Sequence, residues 1–292
     1  MGSVGTTLRE IWSQALAAPV PTRLRASLHA RSFSFAERLH IRSVVFVRHL
    51  PASIERANPI WIAAFLALAT MRIATSPTYP ATLSQFLEIF VPYALIALSP
   101  ALAWRLAMAA FPPDRPIHRS RFTLARIGRW RNVSRLEARD FAQFGPFGFM
   151  ASLMIGMLLN VPIRAGEFLL AVPAIDSMAP AWGRTIFLVM AFDVFAMSFL
   201  YVTCFVMALR TIPLFPRMLA FAWVIDISLQ LIIAQSVARH ADLPADVGVA
   251  LGDLLSGNVS KVLVSVAVWL PYLLLSERIN VTYRARVSAP RD

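Results

Sequence analysis

"RTIFLVMAFDVFAMSFLYVTCFVMALR", residues 184–210, has an arginine at each end and a single charge between them, the carboxylate of Asp193. About 20 predominantly apolar residues cross the hydrocarbon core of a bilayer, so this run reads as a transmembrane helix. Working outward, five more apolar runs share its character. They lie between Arg56 and Arg72, from Phe86 to Phe111, from Phe147 to about Pro162, between Arg217 and Arg239, and between Lys261 and Glu277. The fold class predicted is all-α: a polytopic integral membrane protein of about six transmembrane helices.

Composition agrees. The 292 residues are 58% hydrophobic and 15% charged, with a mean hydropathy of +0.62, whereas about a quarter of residues are charged in soluble domains. The net charge of +12 therefore reports orientation and contact with anionic lipid before it reports nucleic acid. Lys261 is the one lysine among 28 basic residues, a bias typical of GC-rich bacterial coding sequence. Cys204 is the single cysteine, which excludes an intramolecular disulfide and cysteine-pair metal sites. No short apolar core with a small-residue cleavage site precedes residue 58, so no cleavable signal peptide is expected.

Five regions follow. Residues 1–58 form a basic arm with eight arginines, in which Phe33 to Leu50 reads as an amphipathic helix, either lying on the membrane surface or packed on the membrane domain. Residues 59–111 form the first helix pair, 112–140 an arginine-rich loop, 141–287 a four-helix membrane domain, and 288–292 a tail. "AGEFLLAVPAI" (165–175) is too short to cross, and reads as an interfacial turn or as a continuation of a tilted third helix. The arm and the 112–140 loop each hold eight arginines, and the 210–217 turn and the tail add two and four. The alternate loops hold only Arg72, Arg164, Arg184, Arg239 and Lys261. By the positive-inside rule both termini are cytoplasmic.

The last apolar run leads into Trp269, Pro271, Tyr272, Ser276, Arg278, Ile279, Thr282 and Tyr283, and a "GPFGFM" start opens the four-helix half. In this W-x-P-Y-x-x-x-S-x-R-I-x-x-T-Y ending, residues 145–287 resemble the YdgK-type family of bacterial inner-membrane proteins, a domain of unknown function. The resemblance implies architecture and location, and no activity. It leaves residues 1–140 outside. At the ending itself, Pro271 is expected to kink a helix that carries Trp269, Tyr272, Ser276 and Tyr283 along one face.

Two carboxylates, Asp193 and Asp226, fall well inside spans. Ionised carboxylates are costly in lipid, so each should be protonated, paired or facing a wet cavity. One reading is a proton or cation relay. The other is a hydrogen-bonded packing element with Gln230, Tyr201 or Asn160. Measured from flanking arginines, the two acids differ in depth by roughly 9 Å, which argues against direct pairing. The five histidines lie in arms and loops without metal-ligand spacing, and no catalytic triad motif or phosphate loop occurs. No metal or cofactor is expected. Arg126, Arg129, Arg131, Arg284 and Arg286 are candidate contacts to anionic lipid headgroups, although an ordinary positive-inside loop is the favoured account of the first three. The leading expectation is a non-enzymatic structural or accessory membrane component, with a membrane-protein partner conceivable and no nucleic acid. A small proton-linked permease using Asp193 and Asp226 comes second, and a membrane-embedded lipid-modifying enzyme third.

Overall fold

The computed structural model describes residues 22–76, 80–112, 129–175 and 178–289, with side chains from residue 42 onward. Six long helices dominate: α1 (Thr22–Ala74), α2 (Leu83–Ala110), α4 (Phe149–Ala171), α5 (Ala181–Leu209), α6 (Phe215–Ala238) and α7 (Ala245–Leu275). Two short helices, α3 (Arg135–Arg139) and α8 (Glu277–Arg284), and two three-residue strands, β1 (Trp130–Asn132) and β2 (Arg286–Ser288), complete the described elements. All six long helices contain a segment long and apolar enough to cross a membrane, in α1 the part from Arg42 to Ala74. The protein is an all-α, multi-pass membrane protein.

Three spans differ from expectation. Residues 22–58 of the basic arm and the first span form one helix of 53 residues that passes through Pro51 and Pro59. Each proline removes one hydrogen bond, and the apolar, arginine-bearing sequence on either side carries the helix onward. α4 continues through Pro162 to Ala171, which is the helical one of the two readings of residues 165–175 as far as Ala171, so Arg164 and Glu167 belong to the helix and not to a loop beyond it. α7 begins at Ala245, which moves Lys261 from a helix end to the middle of one. In both α4 and α7 an internal charge was read as a boundary.

Local signals fix the ends. Thr82 caps α2 in a reciprocal box with Gln85, its hydroxyl accepting from the Gln85 amide at 3.3 Å while Gln85 Oε1 accepts from the Thr82 amide at 3.1 Å. Ser134 and Glu137 do the same for α3. At the entry to α4, Gly145 (φ 105°) and Gly148 (φ 63°) take backbone conformations that favour glycine. This is the physical content of the "GPFGFM" start.

α5 is the central helix, packed against α2, α4 and α6, while α7 packs on α6. The core around it divides into two layers. One gathers Trp104, Met150, Met154, Phe205, Phe215 and Tyr283. The other gathers Phe65, Tyr93, Phe168, Phe187 and Ile233. Along α4 the first layer ends at Val161 and the second begins at Ala165, and along α6 they end at Trp223 and resume at Ile233. Leu95, Leu102, Phe192, Phe221, Leu231 and Leu263 point outward and are exposed, as an apolar solvent permits.

Candidate functional site

Each of α4 to α7 places polar side chains at the boundary between the two layers. α4 supplies Arg164 and Glu167, α5 supplies Asp193 and Tyr201, α6 supplies Asp226 and Gln230, and α7 supplies Asn258 and Lys261. Spacings of three, four and eight residues put each pair on one face of its helix. The four faces converge.

Arg164 is the centre. Its Nη1 donates to Asp193 Oδ2 at 2.7 Å, and its Nη2 donates to Asp226 Oδ1 and Oδ2 at 2.7 and 2.8 Å. The planar guanidinium offers donors in a fixed fork, which lets one side chain hold two carboxylates from two helices. Asp226 is fully buried and Asp193 is 4% exposed. Tyr201 OH donates to Asp226 Oδ2 at 2.9 Å, and Gln230 Nε2 donates to Asp193 Oδ1 at 3.1 Å.

The chain of bonds then runs outward. Asn258 Nδ2 donates to Gln230 Oε1 at 3.2 Å, and Lys261 Nζ donates to Asn258 Oδ1 at 3.4 Å. Lys261 also forms an ion pair with Glu167, closing a ring that begins and ends on α4. Beside the ring lies a cavity of about 100 Å³ lined by Asn160, Arg164, Glu167, Tyr201, Asn258 and Lys261. That volume holds several waters, and its walls offer each of them polar partners.

The two acids thus stand at one depth, contrary to the separation expected from sequence. Measured from the helix ends on the same side, Ala181 and Ala238, each lies twelve residues in, roughly 18 Å. The flanking arginines were poor rulers because α5 runs only one residue short of Arg210 at one end but starts three residues before Arg184 at the other. Both residues suggested as partners are engaged, Tyr201 with Asp226 and Gln230 with Asp193, while Asn160 lines the cavity. Arg164, Glu167, Asn258 and Lys261 are the members that sequence reasoning missed. The signal was there in the i,i+3 pairs Arg164/Glu167 and Asn258/Lys261, and in a single lysine that interrupts a continuous apolar helix.

The C-terminal motif builds a different object. α7 stops at Leu275, and Ser276 takes an extended conformation before α8, so no single helix face carries Trp269, Tyr272, Ser276 and Tyr283 together. The break places α8 and β2 across the end of the bundle, where β2 pairs antiparallel with β1 and Val133, Ala138, Val281, Ala285 and Val287 form a small core. Tyr283 OH donates to the Ala208 carbonyl at 2.9 Å, and Thr282 Oγ1 accepts from the Gly145 amide at 3.0 Å. Arg278 Nη1 donates to the Gln143 carbonyl at 3.0 Å. Trp269 and Tyr272 pack against Phe149 at ring distances of 4.8 and 5.1 Å, on the helix that contains Pro271.

Of the arginines expected at lipid headgroups, Arg284 instead turns inward, donating to the Leu273 carbonyl at 2.9 Å and to Asn280 Oδ1 at 3.0 Å. Arg131 is exposed and pairs with Glu137 at 3.4 Å. Arg129 lies beside β1, Arg286 lies in β2, and Arg126 falls outside the described residues. No protein-family model, curated protein or solved structure matches the chain.

Proposed function

We propose that the protein is a small proton-linked membrane carrier whose coupling site is the Arg164, Asp193 and Asp226 cluster. One observation carries this reading: two buried carboxylates share one part-buried guanidinium. The Lys261 and Glu167 pair is balanced within itself, so the centre holds one negative charge in excess when all its acids are ionised. An excess charge between apolar layers is unfavourable, and either a bound proton or a bound cation removes it. Ionisable groups at this depth line transport paths and proton relays.

The donors distinguish the two acids. Asp226 receives three hydrogen bonds, two from Arg164 and one from Tyr201. Asp193 receives one from Arg164 and one from Gln230, and takes the proton. Protonation there weakens the bond between Arg164 on α4 and Asp193 on α5, so charge state is linked to the packing of two helices. The cavity supplies the water, and the Lys261 and Glu167 pair stands at its edge. Asp193→Asn mimics the permanently protonated state. In a strain lacking the chain, it should restore membrane abundance but not growth under the condition that requires the protein. Full complementation by both Asp193→Asn and Asp226→Asn would eliminate the carrier reading.

A second reading, a structural or accessory component, is favoured by a separate observation. Among the described residues, the buried side-chain atoms without partners belong to Arg72, Tyr93, Ser198 and Arg210, and none to the charged centre. A fully bonded network can serve as a lock that fixes helix positions. We further infer a bacterial inner-membrane location with both termini cytoplasmic. With Arg164 and Lys261 inside helices, the ends on the opposite side keep only Arg72, Arg184 and Arg239, which sharpens the arginine asymmetry. The likeness of residues 145–287 to the YdgK-type family, on this reading, extends to the half that contains the whole cluster.

A further inference from the structure

A second polar site lies outside the four-helix half, in a groove of about 710 Å³ between α1 and α2. Trp61 Nε1 donates to the Ala97 carbonyl at 3.1 Å and sets the spacing of these helices, while Trp104, 2% exposed, forms the floor. The groove is amphipathic along its length. Glu55, Asn58 and Arg105 line one end, and Ile62, Leu98 and Leu102 continue it toward the bilayer interior. Arg105 stands five residues from the end of α2, roughly 8 Å along its axis, a depth at which headgroups meet acyl chains. Leu98 and Leu102 are 47% and 48% exposed, so the apolar end is open to a hydrocarbon chain.

Among the described residues, the charges at the polar end have no ion-pair partner. Among the described residues the ion pairs are Arg131 with Glu137, Arg164 with Asp193 and with Asp226, and Lys261 with Glu167. Glu55 and Arg105 therefore face one groove with opposite charges and no counter-ion. We propose that the groove binds a zwitterionic glycerophospholipid whose headgroup carries a primary amine, of the phosphoethanolamine class. Arg105 takes the phosphate through its guanidinium fork. Glu55 accepts hydrogen bonds from the ammonium, and the acyl chain lies along Leu98 and Leu102. A phosphocholine headgroup matches the charges, but its quaternary nitrogen has no N–H to donate. A phosphoglycerol headgroup offers Glu55 no cation at all. The carboxylate thus makes the choice of lipid.

The test uses the full chain in nanodiscs of equal parts palmitoyl-oleoyl phosphatidylethanolamine, phosphatidylcholine and phosphatidylglycerol, with retained lipid counted by native mass spectrometry after release. Wild type should retain the ethanolamine lipid about threefold to fivefold over the choline lipid, the scale of one exposed charge pair. E55Q should bring that ratio to about one, and R105Q should lower retention of all three lipids. R56Q, an exposed change outside the groove, should match wild type and exclude a general surface-charge effect. Equal retention of the three lipids by wild type, a preference that survives E55Q, or undiminished retention by R105Q would each overturn the proposal.

Discussion

The intramembrane cluster and the cap at the end of the bundle both depend on arginine, and they use it in opposite ways. In the cluster, Arg164 meets the carboxyl groups of two other helices, and its charge is what the site is built around. In the cap, Arg278 and Arg284 donate to backbone carbonyls and an amide oxygen, and Arg135 Nη2 does the same to the Thr211 carbonyl at 2.9 Å. There the guanidinium acts as a long multi-donor strut that ties the loop before α4, the turn after α5 and the tail together. The difference teaches that arginine count gives topology, and that the chemistry of each arginine depends on what its neighbours offer. Electrostatics in the cap shows the cost: burial, with Arg286 and Arg217 adding repulsion, pushes Arg284 down to about 10.

The sharpest way to break the contrast is R164M. It leaves two carboxylates buried without a cation and should destabilise the protein by about 3–5 kcal/mol, read as a lower melting temperature in detergent. Adding Asp193→Asn and Asp226→Asn to it should return most of that loss, because neutral partners need no counter-ion. If R164M melts like wild type, the cluster is not charge-paired and the comparison collapses.

Tyr283→Phe tests the cap. It removes the bond to the Ala208 carbonyl and should cost about 1–2 kcal/mol. It should also change the alkaline limb. Burial raises the Tyr283 phenol well above its ordinary value, so the folded chain keeps a proton that the unfolded chain releases above about pH 10. Its stabilisation is complete below that pH and is lost as pH rises further. Arg284 has the opposite sign: its folded value is depressed, so the folded chain releases that proton first and stability gains with pH above about 10. Between about pH 10 and 11 the two contributions offset one another, so wild-type melting should stay nearly level, and Tyr283→Phe should leave the Arg284 gain unopposed and make melting rise. R131Q is the smallest change. Its pair with Glu137 is more than half exposed on the arginine side, and melting should correspond to a change within about 0.5 kcal/mol.

Six spans were legible because a bilayer demands long apolar helices, and nothing in a soluble core demands as many. Asp193 and Asp226 were legible for the same reason, as carboxylates in runs that otherwise exclude them. Arg164 and Lys261 misled, since a cation beside apolar sequence usually marks the interface, and here the helix runs on for seven residues after Arg164 and begins sixteen residues before Lys261. The C-terminal motif was legible as a unit, but its geometry was not, because a break at Ser276 depends on what α8 finds to pack against. Local composition against a fixed solvent is enough to read the membrane class, the number of spans and two of the buried charges from the sequence. Only the tertiary structure decided that four helices bring their polar faces to one level and that a single guanidinium joins two acids. That pairing rests on helix depth, tilt and rotation, which the packing of neighbours sets and which no single segment encodes.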